Sequence, residues 1–417
     1  MFRKRERRKR GGFTMSKKLT ALLLALCLLL GTTAAFADGA ESFTLRVWTP
    51  SEDQNPDLGA WVNTLCDEFN AAHPEWDITF EFGVSSESDA KKLVPRDMEA
   101  AADVFLFGST GLETLCQANA LTEWGGKYMK YVQENYPETL VNCLIYADGL
   151  YGVPITTDTY FMYYDKSVFT EEDVLSLDTM LTKGKVAFPL GNGYYLAAFY
   201  LANGCTFFGV DGKDRAAGIQ LGGEKGVDVT NTLVDLVKNE NFIVAEPSDA
   251  IGMMREGNCA AYICGTWQAA QTKEVLGDNF GVAVLPSVMI DGVSCQLRPF
   301  TSAKAVGVKS TTEHPVAALE LACFLASYDA QKAHYEKRGY VPCQNELIKE
   351  MANDPICMVD AKTVSEVALA RASYTEFGYY WSPAESMGNE IRDGIVTHEN
   401  AAEKTETFTQ AVNNPGI

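Results

Sequence analysis

Histidine is scarce in this chain, with four in 417 residues (His73, His314, His334 and His398), and no two cysteines are spaced as Cys-x-x-Cys. That leaves no ready donor set for zinc, whose protein ligands ordinarily come as closely spaced Cys and His pairs. A His-Glu-x-x-His helix, a Gly-x-x-x-x-Gly-Lys-[Ser/Thr] phosphate loop and a Gly-x-Ser-x-Gly elbow are also missing. Common hydrolytic and nucleotide-dependent chemistries therefore have no anchor. Gly191-Asn192-Gly193 opens like a dinucleotide fingerprint, but its third glycine is absent. No cofactor is expected. Positive charge is short too, at 35 Lys and Arg against 55 Asp and Glu. The first 37 residues hold nine of those bases and one acid, so residues 38–417 carry 26 against 54, a charge of −28. Such a surface repels phosphate backbones and anionic headgroups, which argues against nucleic acid and membrane surfaces as partners.

Long apolar runs are confined to one place. Leu19 to Leu30 follows Lys17 and Lys18 and leads to Ala35-Phe36-Ala37 before Asp38, the layout of a secretory signal. About a dozen apolar residues fall short of the roughly 20 that cross a bilayer. The expectation is export after cleavage at Ala37, with Met15 as the working start. Lipid attachment at Cys27 fits less well, because Leu26 precedes it. Ten cysteines remain, mostly in apolar strings such as Leu321-Ala322-Cys323-Phe324-Leu325. In a chain long enough to build its own core they read as buried free thiols.

At 47% apolar and 22% charged, the composition is that of a globular protein, and the length suggests two domains. Leu45 and Val47 alternate as a strand, Trp61, Val62, Leu65 and Phe69 recur at helical spacing, and Ile78, Phe80 and Phe82 alternate again. Strand, helix, strand is the unit of parallel sheets. The pattern returns from about Asp158 to Pro286, then after Pro299, and the tail from Ser382 reads as helices. No repeat or flexible tether appears, so the domains must be joined by strand-like crossings.

Aromatic and polar residues cluster after the predicted strands, where ligands of open α/β sheets sit. Trp48 to Asp53, Phe107-Gly108-Ser109-Thr110 and Gly265-Thr266-Trp267 all lie there. A sugar needs flat aromatic surfaces for its C–H face and carboxylates or amides for its hydroxyls, and these loops supply both. Glu52 and Asp53 are candidates on that ground.

Asp148-Gly149-Leu150-Tyr151-Gly152-Val153-Pro154, followed by Tyr163-Tyr164-Asp165-Lys166, resembles the first crossing of the family 1 extracellular solute-binding proteins, the carbohydrate-type group containing the maltose-binding protein. Met254-Arg255-Glu256-Gly257 and Gly265-Thr266-Trp267 are similar to a second run, with Thr266 in place of the commoner proline. Ala303 to Gln344, with Gly339-Tyr340-Val341-Pro342, follows a third. The likeness implies a type II periplasmic-binding-protein-like fold of two α/β lobes, each a mostly parallel sheet flanked by helices, hinged by crossings near Pro154, Pro286 and Val341. Residues 38–157 and 290–344 would form lobe 1, and 158–289 and 345–417 lobe 2. It implies a monomeric, non-enzymatic, exported protein that grips a carbohydrate between the lobes and hands it to the permease of an ABC importer. Carried over by position, Trp267 is the stacking platform and Asp158 binds hydroxyls. Asn192 and Tyr194 sit on the second lobe's loop and Phe107, Ser109 and Thr110 on the first lobe's; the tail helix's aromatic position falls on Glu385, with Tyr379, Tyr380 and the candidate Trp381 close by. A different solute such as a polyamine stays open, as does a secreted glycan-processing enzyme, since 54 acids offer carboxylate pairs throughout.

Overall fold

The structure is a computed structural model that describes residues 39–414; the export signal expected before Asp38 lies outside them. In chain order, β1 (Glu41–Thr49), α1 (Trp61–Ala72), β2 (Trp76–Val84) and β3 (Val104–Gly108) lead to β4 (Val153–Asp158). There follow β5 (Phe161–Asp165), β6 (Val186–Phe188), α2 (Gly193–Ala202), β7 (Phe242–Val244), β8 (Ala261–Cys264) and β9 (Phe280–Ala283). The chain then forms β10 (Phe300–Val308) and β11 (Leu369–Ala370). Two large sheets result, one ordered β11-β10-β3-β1-β2 with β4 on β10, the other β7-β6-β8-β5-β9, accompanied by three two-stranded sheets.

Trp61, Val62, Leu65, Cys66 and Phe69 form one buried stripe of α1. The helix lies on the sheet it connects, so β1 and β2 pair in parallel from Glu41↔Trp76 to Thr49↔Val84. It starts at Trp61 because Gly59 and Ala60 both take left-handed backbone. Val104 to Phe107 of β3 are all buried, as a strand covered on both faces requires. Parallel pairing holds among strands linked by helices. Antiparallel pairs occur where the chain crosses between lobes, as β10 with β3 and β4 and β5 with β8 and β9, whereas the returning β11 joins β10 in parallel.

Each sheet has its own core, one around Leu45, Trp61, Phe105 and Val306, the other around Tyr160, Phe188, Leu196 and Tyr380. Val153 and Ile155 lie in the first and Tyr160 in the second; Phe300 lies in the second and Ala303 in the first. Both crossings are therefore strands, and they pair antiparallel, with Ser302 opposite Asp158. A third passage, Gly339 to Gln344, is stitched down by the buried amide of Gln331. Its Oε1 accepts from the backbone N–H of Cys343 and Gln344 at 2.8 and 3.1 Å, and its Nε2 donates to the carbonyls of Pro154 and Ala326 at 3.2 and 2.9 Å.

The second crossing falls later than Pro286. Ser287–Ile290 and Val293–Gln296 form a hairpin whose Val288 and Ile290 fill the second core, so residues 290–296 pack with the second lobe. The chain also returns once more than the division at 344 allows, because β11 pairs with β10 at Phe300 and Thr301. All ten cysteines from Cys66 to Cys357 are free thiols, seven of them buried. Among the described residues no helix is long and apolar enough to cross a membrane.

Candidate functional site

A cavity of about 740 Å³ lies where the lobes face each other. Trp267 reaches it from the 3-10 turn Thr266–Gln268 that follows β8, with 56% of its surface exposed. The turn needs its glycine, since a Cβ on Gly265 would lie 1.9 Å from the indole ring. The Tyr163 hydroxyl pins it from below, donating to the Gly265 carbonyl at 2.9 Å. Trp267 is thus an exposed aromatic at a cavity wall rather than part of a core. The charged residues lining the cavity balance, with Asp158, Glu336 and Asp354 against Lys273, Lys304 and Arg338.

Asp158 ends β4, and its Oδ2 accepts from the Ser302 hydroxyl at 3.1 Å. The Tyr194 hydroxyl lies 3.5 Å from the Asp158 carbonyl. Asn192 caps α2, its Oδ1 accepting from the backbone N–H of Tyr194 at 3.1 Å. Arg371 joins this group, its guanidinium over the rings of Trp381 at 4.7 Å and Phe377 at 4.6 Å. Burial lowers the Arg371 pKa, against the pull of Tyr194 and Asp158. Asp158, Asn192, Tyr194 and Trp381 thus come together, and Asp158 shares the cavity with Trp267. Of the tail triplet, Tyr380 is fully buried and donates to the Gly193 carbonyl at 2.9 Å, while Tyr379 is exposed.

Three expected residues face elsewhere. Asp53 is fully buried, its Oδ1 accepting from His334 Nε2 and Arg338 at 3.0 Å each; it braces the first lobe. Phe107 is core, because the side chains of a central strand are covered on both faces, and its ring packs beside Gly152 and Gly307. The buried Ser109 Oγ accepts from the Ala303 backbone N–H at 3.0 Å and ties β3 to β10. Glu52 is exposed and takes a hydrogen bond from the Ser51 hydroxyl at 3.0 Å, and Thr110 is half-buried. The sequence reading missed Lys304 on β10, Arg338 at the end of the helix Tyr328–Arg338 and Tyr340 on the third passage, all lining the cavity, and Arg371 on the returning segment behind Asp158.

The lobes also touch away from the cavity. Glu113, on the first-lobe helix Leu112–Gln117, is fully buried, yet both its oxygens are held by the second lobe. Oε1 accepts from Arg215 at 2.6 Å and Oε2 from the backbone N–H of Thr375 at 2.7 Å. Arg215 is itself gripped bidentately by Glu376 at 2.8 Å. At the hinge, Asp360 is buried with the Thr157 hydroxyl 2.9 Å from both oxygens, and burial pushes its pKa up to about 7. Among the described residues no cluster of three or more His, Cys, Asp or Glu could hold a metal ion.

Two α/β lobes joined by strand crossings, with an aromatic and balanced polar cavity between them, define a binding protein of the cleft type. Residues 64–359 match the bacterial extracellular solute-binding protein family, and the chain belongs to that family. It is 24% identical over 421 residues to the galactooligosaccharide-binding protein of Bacillus subtilis (strain 168), covering 94% of this chain and 96% of that one. A solved structure described as with acarbose is 44% identical and superimposes with a TM-score of 0.77, over 89% of this chain and 99% of the other. The maltodextrin-binding protein of L. casei BL23, solved without ligand, shares the fold at a TM-score of 0.81 and 21% identity, over 89% and 99%.

Proposed function

We propose that this protein is the exported substrate-binding component of an ABC importer and takes an uncharged oligosaccharide between its lobes. The observation that carries the reading is the cavity itself: an exposed tryptophan faces polar groups whose charges cancel, on a chain of net charge −20. A polyamine would meet Lys273, Lys304 and Arg338 in the same walls, which disfavours a polycation. The relative with acarbose and the galactooligosaccharide-binding relative point to the same ligand class. In this reading Trp267 stacks on a sugar ring and Asp158 accepts from hydroxyls; Asn192, Tyr194 and Trp381 gather behind Asp158, outside the cavity lining, and Glu52 and Thr110 also lie outside it.

The mechanism is selective grip without chemistry. Ligand touching both lobes lowers the free energy of the closed arrangement relative to the open one, and only that difference shifts the population. A permease that recognises the closed shape then receives loaded protein. The chain acts as a monomer and releases its ligand unaltered. Calorimetry with acarbose, maltotriose and a galactooligosaccharide tests this: at least one should bind, and Trp267→Ala should weaken it by about 1 kcal/mol or more through lost stacking. Unchanged affinity would remove Trp267 from the site, and a hydrolysed glycan recovered after incubation would replace transport with catalysis.

A further inference from the structure

We propose that Lys304, Tyr340 and Glu87 form a hydroxyl-reading corner of the cleft, in which Lys304 Nζ and Tyr340 Oη contact adjacent hydroxyls of the bound sugar and Glu87 holds them in place. This rests on the carbohydrate reading above and gives Lys304 and Tyr340, both within the run from Ala303 to Gln344, a role beside Glu87. The three come from separate parts of the chain: the loop after β2, the middle of β10 and the third passage. They close a triangle. Lys304 Nζ donates to Tyr340 Oη at 3.2 Å and lies 3.2 Å from Glu87 Oε1, and Tyr340 Oη donates to that same oxygen at 3.4 Å.

An ammonium carries three protons. Two are used here, and among the described residues no other protein acceptor takes the third. Lys304 and Tyr340 line the cavity that Trp267 enters, and the Lys304 side chain is 31% exposed there. Burial pulls the Lys304 pKa down, but Glu87 and Tyr340 outweigh it and keep the amine charged. A charged donor forms a stronger hydrogen bond to a hydroxyl oxygen than a neutral one. Because Glu87 cancels the charge, the corner favours neither cations nor anions, which suits a vicinal diol.

The corner is also held rigid. The Tyr340 ring stacks on His334 at 4.4 Å and 5°, and His334 stacks on Trp61 at 4.0 Å and 13°. Asp53 fixes the rotation of the imidazole by accepting from its Nε2. A phenol positioned this way loses little freedom when ligand arrives. That assigns Asp53 a use: it braces a ligand-facing tyrosine from behind.

The test is calorimetry on the whole mature chain with acarbose, maltotriose and a galactooligosaccharide. Tyr340→Phe should weaken the binding sugar about fivefold or more, and Lys304→Met about tenfold or more. The double variant Glu87→Gln/Lys304→Met leaves no unpaired charge and should bind as weakly as Lys304→Met, with a melting temperature near that of the wild type. If Tyr340→Phe and the double variant bind as the wild type does while Trp267→Ala is weakened, the corner is refuted and the carbohydrate reading stands. If the wild type binds none of the three sugars, both fall.

Discussion

Removing Glu113 should loosen the two lobes without touching the cavity. In Glu113→Ala, the Thr375 backbone N–H loses an acceptor at 2.7 Å and one arm of Arg215 loses a partner at 2.6 Å. Hydrogen bonds to a charged group are worth about 1.5–3 kcal/mol each. The Arg215 side chain is 42% exposed and keeps its bidentate bond to Glu376, so its share falls to about 1 kcal/mol or less. The interlobe contact then loses roughly 2–3 kcal/mol, a shift of about 30- to 150-fold toward separated lobes. Spin labels on exposed residues of the two lobes, read by dipolar distance without ligand, should show a longer and broader distribution in the variant. A double-mutant cycle of Glu113→Gln and Arg215→Met, followed by urea unfolding, should return a coupling energy of about 1 kcal/mol. Distances matching the wild type, together with zero coupling, would refute the idea that this pair holds the lobes.

Other consequences are as direct. Gly265→Ala leaves a tolerable backbone, since φ there is −88°, but it pushes the Trp267 ring aside; sugar affinity should drop while the melting temperature stays within a few degrees. Asp360, raised by burial to about 7, binds its proton more tightly folded than unfolded. Its contribution is present in full below about pH 4 and is lost as pH rises to about 7, by at most about 4 kcal/mol. Asp360→Asn should flatten that fall in urea titrations between pH 4 and 8, and an unaltered slope would count against the assignment. Burial raises the thiols of Cys143, Cys264 and Cys357 to about 12. A thiol-exchange reagent at pH 8 should therefore react slowly with native protein and with all ten cysteines in denaturant; rapid native labelling of these three would contradict their burial.

The fold was legible because apolar periodicity is local. The stripe of α1 and the alternation of β1 and β2 announce their partners within 40 residues, and the run through Phe107 announces a strand covered on both sides. The place of Trp267 beside a cleft was legible for a related reason, since it follows a strand, whereas Asp158 was reached only through the family resemblance; both line the cavity. Asp53 shows where such reasoning stops. An acid after a strand reads as ligand-facing, but its surroundings are set by His334 and Arg338, more than 280 residues away. Lys304, Tyr340 and Glu87 meet only through tertiary pairing. The hairpin at 287–296 displaced the second crossing because nothing in its alternation says which core receives Val288 and Ile290.

The paired strands β4 and β10 also set the mechanics. Two strands sharing a hydrogen-bonded ladder form a strip that is stiff within its own plane and compliant across it, so it flexes like a leaf spring. Rocking of one sheet against the other therefore has one easy direction, and shear along the strip would have to break the ladder from Val153↔Val306 to Asp158↔Ser302. In the binding cycle proposed above, travel confined to a single arc would bring the Trp267 wall back to the same place on every stroke.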